Sequence, residues 1–141
     1  SQCLAEEAAL EPHARETLSL LHKKVPLYGA SNGILAIQQA RLEKANLTAY
    51  FSGLFVSDKI GAEKPDPRFF TFCLQRSGFP AEDVLMVGDS LTADIAGAFS
   101  VGMDGCWYHP HTAPPPANTI LTHAITDLRQ LLTGPFVWGS P

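Results

Sequence analysis

The chain has 141 residues, 45% of them hydrophobic and 17% charged, with a formal net charge of -4. That length supports one core rather than two comfortable domains, and the ordinary apolar fraction marks a folded globular chain. Ten scattered Lys and Arg give no basic field to hold nucleic acid, and no apolar run reaches the roughly 18 residues of a membrane span.

Residues 1–7 lack the charged and apolar regions of a signal peptide. Cys3, Cys73 and Cys106 are odd in number, far apart and outside any Cys-x-x-Cys pair. Reduced thiols in a cytoplasmic protein are the expectation, without a zinc knuckle or disulfide framework.

Over residues 12–24, Ala14, Leu18 and Leu21 with Leu20 recur at helical spacing, so an amphipathic helix is predicted. Residues 25–30 read as a short strand that runs into the turn Ser31-Asn32-Gly33. Residues 34–45 read as a second helix with Leu35, Ile37, Ala40, Leu42 and Ala45 near its apolar side. Leu54 to Ser57 reads as a strand, followed by Gly61-Ala62-Glu63-Lys64-Pro65-Asp66-Pro67, a loop stiffened by two prolines. Asp66-Pro67 has the form of an N-cap and first position for a helix reaching Ser77.

Val84-Leu85-Met86-Val87 running into Gly88-Asp89 is the pattern of a strand buried on both faces, with Asp89 at its carboxyl end. A helix over residues 92–101 follows, with Asp94 in its first turn. Residues 103–108 suggest another strand, and 109–116 a loop whose His109 and His111 have no third ligand nearby in sequence. Ile120-Leu121 is expected as a last short strand, 125–132 as a closing helix, and 134–141 as a loose tail beyond a 1–133 core. Alternating strands and helices predict an α/β fold, a Rossmann-like parallel sheet with helices on both faces.

In such a sheet ligands bind at the carboxyl ends of the strands, and Ser31, Lys64 and Asp89 would reach that one rim. Each has an ordinary reading and a chemical one. Ser31-Asn32-Gly33 is common turn chemistry, or a hydroxyl and free amides that hold phosphate. Lys64 is a solvated lysine, or a point cation for a phosphate and nearby carboxylates. Asp89 and Asp94 cap a helix and complement its dipole, or supply the hard oxygens that suit Mg²⁺. Their convergence favours phosphate and magnesium.

These residues resemble the haloacid dehalogenase superfamily of phosphohydrolases, over residues 12–132. Ala30-Ser31-Asn32-Gly33 matches the family's second motif, Lys64-Pro65 the third and Gly88-Asp89-Ser90-Leu91-Thr92-Ala93-Asp94 the fourth, in order and spacing. Gly102-Met103-Asp104-Gly105-Cys106-Trp107-Tyr108, with Gln39-Ala40-Arg41-Leu42-Glu43, is similar to the branch of noncanonical pyrimidine nucleotidases, 5'-nucleotidases of nucleoside monophosphates. The resemblance implies Mg²⁺-dependent hydrolysis of phosphate monoesters through an aspartyl-phosphate. Ser31, Asn32, Gly33 and Lys64 would then bind the phosphoryl group. Lys64 would also serve catalysis, Asp89 would bind Mg²⁺ directly, and Asp94 would hold the metal through water or position Lys64.

One motif is missing. The family's Asp-x-Asp-x-Thr, source of both catalytic aspartates, has no counterpart: no Asp precedes Asp58, and no Asp-x-Asp occurs later. The first strand is expected to be missing with it, and so is the helical cap that selects the leaving group. The chain is therefore expected to be the C-terminal part of a phosphatase and inactive alone. Two facing open edges would remain at the gap in the sheet and favour self-association. Other readings are a sugar-phosphate phosphatase, a phosphomutase, a dehalogenase, or a truncated non-catalytic interaction module.

Overall fold

A computed structural model describes residues 2–5, 8–111 and 114–138. Six parallel strands form one sheet in the order β3-β2-β1-β4-β5-β6. They are β1 (Gln2–Ala5), β2 (Leu27–Ser31), β3 (Gly53–Val56), β4 (Val84–Gly88), β5 (Asp104–Tyr108) and β6 (His123–Ile125). The helices are α1 (Ala14–Leu21), α2 (Leu35–Lys44), the single turn α3 (Ser57–Ile60), α4 (Pro67–Ser77) and α5 (Gly97–Ser100). Leu91–Ala96 is a π-helical turn, and Leu128–Leu132 a 3-10 helix capped by Asp127.

β4 shows why its sequence is an unbroken apolar run. All five of its residues are buried, and successive side chains enter opposite faces. Leu85 and Val87 join Leu18, Leu21 and Leu27 on one side, while Val84 and Met86 join Phe69, Phe70 and Cys73 on the other. α1 buries Ala14, Thr17, Leu18 and Leu21 at helical spacing, whereas Leu20 is half exposed. α4 begins as its sequence predicts: the Asp66 carboxylate accepts from the Arg68 amide, and Pro67 opens the helix.

Five expectations need correction. The expected gap is closed by the chain itself, because β1 lies between β2 and β4 with Cys3 paired to both Leu27 and Leu85. Unpaired strand edges in the middle of a sheet leave amides and carbonyls without partners, and Gln2–Ala5 supplies them. The two facing edges that underlay the expected self-association are therefore not there. α2 buries only Leu42, while Ile34 and Ile37 stay about half exposed. The last strand is His123–Ile125, and Ile120 is exposed. The closing helix is only the five-residue 3-10 turn. The expected tail is docked as far as it is described: Phe136 and Trp138 pack on the α1-side core, and the Trp138 indole donates to the Leu131 carbonyl at 2.7 Å. Residues 139–141 of that tail lie outside the described residues.

Candidate phosphate and metal site

β2 and β4 end on the same rim, with β1 between them. β2 delivers Ser31, and β4 delivers Gly88 and then Asp89. The loop from α3 to α4 brings Lys64 across to meet them. Lys64 is 4% exposed and Asp94 is fully buried; the Lys64 ammonium donates to Asp94 Oδ1 at 2.6 Å and to the Ala30 carbonyl at 3.1 Å. An ammonium buried this deeply needs such partners, since an unpaired buried charge costs several kcal/mol.

The other Asp94 oxygen accepts the Ser90 amide at 3.1 Å. Ser90 in turn accepts the Ala93 amide at 2.9 Å, so side chain and backbone cap the π turn reciprocally. The π geometry sets Asp94 directly over Gly88, where a Cβ would overlap its carboxylate. Burial pushes the Asp94 carboxyl above the usual aspartate range, and the Lys64 ammonium opposes that rise.

Asn32 has a role its sequence context did not reveal. Its side-chain oxygen accepts the Lys64 amide at 2.7 Å and its side-chain nitrogen donates to the Lys64 carbonyl at 2.9 Å. The amide thus clamps the backbone of the residue that supplies the cation. The Gly33 amide is likewise engaged, donating to Ser57 Oγ at 3.0 Å, and Asp58 accepts the Leu35 amide at the start of α2. Among the predicted phosphate-binding residues, the Asn32 side chain and the Gly33 amide therefore build the loop. Ser31 is different: it is 6% exposed, and its buried hydroxyl has no hydrogen-bond partner among the described residues. A buried hydroxyl left unpaired, one residue along from the carbonyl that holds the Lys64 ammonium, fits an incoming anion oxygen.

The two predicted metal ligands also separate. Asp94 is committed to Lys64 and the Ser90 amide. The Asp89 side chain is exposed at the rim, and its carboxylate has no partner among the described residues. One open carboxylate, completed by waters and substrate phosphate oxygens, is the donor set Mg²⁺ accepts. No cluster of three or more His, Cys, Asp or Glu suited to a metal occurs among the described residues. Ser31 also lines a cavity of about 30 Å³ with Gln38, Arg41 and Val56, too small for a nucleoside. A wider hollow of about 680 Å³, lined by residues such as His13, Arg15, Glu16 and Tyr50, includes none of the site residues.

Sequence reasoning missed Asn32 as a brace, Ser57 and Asp58 as loop anchors, and Trp107, whose indole donates to the Asp89 carbonyl at 2.9 Å. No local sequence pattern signals contacts between strand ends so far apart in the chain.

Comparison with known proteins identifies the family and the fold. The family model described as haloacid dehalogenase-like hydrolase matches residues 2–102. The chain is 38% identical to the pyrimidine 5'-nucleotidase PynA of Streptococcus pneumoniae over 92% of its length and 55% of that protein. It is 33% identical to the pyrimidine 5'-nucleotidase YjjG of Escherichia coli, over 91% of this chain and 57% of that one. The magnesium-bound crystal structure of the putative hydrolase YfnB of Bacillus subtilis superposes with a TM-score of 0.82 at 36% identity, covering 86% of this chain and 54% of that one. The chain thus spans about half the length of the curated relatives it matches, and it belongs to the haloacid dehalogenase-like hydrolase family.

Proposed function

We propose that this chain carries the anion- and cation-binding half of a Mg²⁺-dependent phosphohydrolase acting on small phosphate monoesters, with pyrimidine nucleoside 5'-monophosphates as the first substrates to test. The observation that carries the reading is the Lys64 ammonium, buried between Asp94 and the Ala30 carbonyl at the rim where Ser31 keeps an unpaired hydroxyl and Asp89 an open carboxylate. Lys64 would balance charge on the phosphoryl oxygens, and Ser31 would donate to one of them. Asp89 would hold the ion, and Asp94 and Asn32 would fix Lys64. When bound, Mg²⁺ would neutralise charge on the transferring group, so that most of the catalytic gain is preorganised electrostatics.

The nucleophile is the missing part. β1 occupies the central position but ends in Ala5, and no aspartate stands in or beside it in the sequence. The chain alone is therefore expected to bind the ion and the phosphate without releasing inorganic phosphate from a nucleoside monophosphate. Magnesium-dependent turnover by this 141-residue chain in a phosphate-release assay would refute that half of the reading.

Binding gives the direct test. Removing a residue that only orients a metal ligand typically costs ten- to a hundredfold in affinity, so Asp89→Asn is expected to weaken Mg²⁺ binding about tenfold or more in calorimetric titration. Equal affinity in the variant would remove Asp89 from the site. Ser31→Ala carries an opposite pair of signs. Deleting an unpaired buried hydroxyl is expected to leave stability unchanged or raise it by about 1 kcal/mol in urea titration, while inorganic phosphate binds more weakly. A loss of stability with unchanged phosphate binding would show the hydroxyl to be structural.

A further inference from the structure

Asp89 follows the last residue of β4, and its side chain is exposed at the rim. An exposed carboxylate holds an ion well only when its own backbone is fixed, because a floppy ligand gives up ordering entropy on binding. The neighbouring strand supplies the fixing contact. Trp107 of β5 stands opposite Gly88 in the parallel register, and its indole reaches one residue further along β4 to donate to the Asp89 carbonyl at 2.9 Å. Trp107 is itself 6% exposed, and the His109 ring lies over it, with centroids 4.2 Å apart and planes within 10°. The His109 amide donates to the Ile125 carbonyl at 2.9 Å, so the stacking ring is in turn tied to the last strand of the sheet.

We propose that Trp107 is a positioning residue for the metal site: its indole N–H anchors the Asp89 peptide, and the His109 stack holds the indole in that rotamer. The inference rests on the reading of Asp89 as a Mg²⁺ ligand. It adds that the affinity of the ion is set partly from β5, through a tryptophan that does not touch the ion.

The chain's two tryptophans make the test internal. Trp138 donates an equivalent bond, to the Leu131 carbonyl, so Trp138→Phe loses an indole donor of the same kind away from Asp89. With magnesium chloride alone as the probe, Trp107→Phe is expected to bind Mg²⁺ about three- to tenfold more weakly, the range for one lost hydrogen bond, while Trp138→Phe keeps the wild-type affinity. In a ¹⁵N-labelled wild-type chain, Mg²⁺ is expected to shift the Trp107 indole N–H resonance and leave that of Trp138 in place, the two being assigned with Trp138→Phe. The resonance decides the matter even if Trp107→Phe fails to fold. Mg²⁺ binding with an unmoved Trp107 resonance would overturn the proposal, as would equal losses in the two variants. A wild-type chain that binds no Mg²⁺ would sink the metal reading of Asp89 and this inference with it. Binding that Asp89→Asn weakens and Trp107→Phe does not would sink the inference alone.

Discussion

Replacing Lys64 by methionine is expected to destabilise the chain by about 3–5 kcal/mol at neutral pH, read as the free energy of urea unfolding. The size follows from what the ammonium leaves behind. Asp94 is wholly buried, and one of its oxygens is 2.6 Å from Lys64 Nζ. Without the cation, the carboxylate keeps only the Ser90 amide among the contacts described above. Methionine keeps most of the volume and apolar surface of the stem, so what is lost is the charge, together with the ammonium's place 5.9 Å from the centroid of the Phe69 ring. A double variant, Lys64→Met with Asp94→Leu, is expected to recover much of the stability, because an apolar pair has no desolvation penalty to offset.

Acid gives this prediction a second, independent sign. Burial already holds the Asp94 carboxyl above its ordinary value of 3.8, with Lys64 opposing the rise. Removing Lys64 leaves burial unopposed, and the folded state of the variant then binds the Asp94 proton more readily than the unfolded chain does. A group whose folded pKa is raised contributes stability that is full below its unfolded pKa and is lost as pH rises through the folded one. The deficit of Lys64→Met is therefore expected to shrink as pH falls from neutrality toward 4. A variant as stable as wild type at neutral pH, or a deficit that widens on acidification, would show that the pair does not hold the rim together.

The rim was legible in the sequence because its residues stand where strands end, and strand ends are marked by punctuation. An apolar run stopping at Gly88-Asp89, a short strand stopping at Ser31, and Lys64 among prolines are all local signals. What those residues touch is not local. Asn32 clamps a backbone 32 residues away and Trp107 a carbonyl 18 residues back, and neither pairing leaves a trace in spacing. β1 escaped notice because Gln2–Ala5 is only four residues long, with no alternation to separate it from coil. α2 misled for the opposite reason. Leu35, Ile37, Ala40, Leu42 and Ala45 share the predicted apolar side, but Leu42 is the one residue of the helix that is buried. Ala45 packs on the core just past its end, and Ile37 stays about half exposed. Periodicity shows that a helix has an apolar side, not that a neighbour covers it.

Gly88→Ala is expected to be the most damaging small substitution at the site, costing about 2–4 kcal/mol and weakening Mg²⁺ and phosphate binding together. Overpacking a tight interior costs about 1–3 kcal/mol in general. Here the added methyl would land on the Asp94 carboxylate rather than on the end of a flexible side chain. Asp94 has little room to retreat, since one oxygen holds the Lys64 ammonium and the other the Ser90 amide, and the π turn that carries it is capped through Ser90. To admit the methyl, either β4 shifts against β1 and β5 or the carboxylate leaves Lys64. The first moves Asp89 and its tether to Trp107; the second strands a buried cation. Gly105→Ala on β5 is the control: its new methyl would meet Ile95 and Phe99 side chains at 3.2–3.3 Å, a contact that apolar groups relax by a few tenths of an ångström. It is expected to cost less stability in urea titration and to leave the ion's affinity near wild type. If Gly88→Ala and Gly105→Ala lose equally in stability and neither changes Mg²⁺ binding, then the close approach of Asp94 to the end of β4 is simple packing, and the fourth-motif glycine has no bearing on the site.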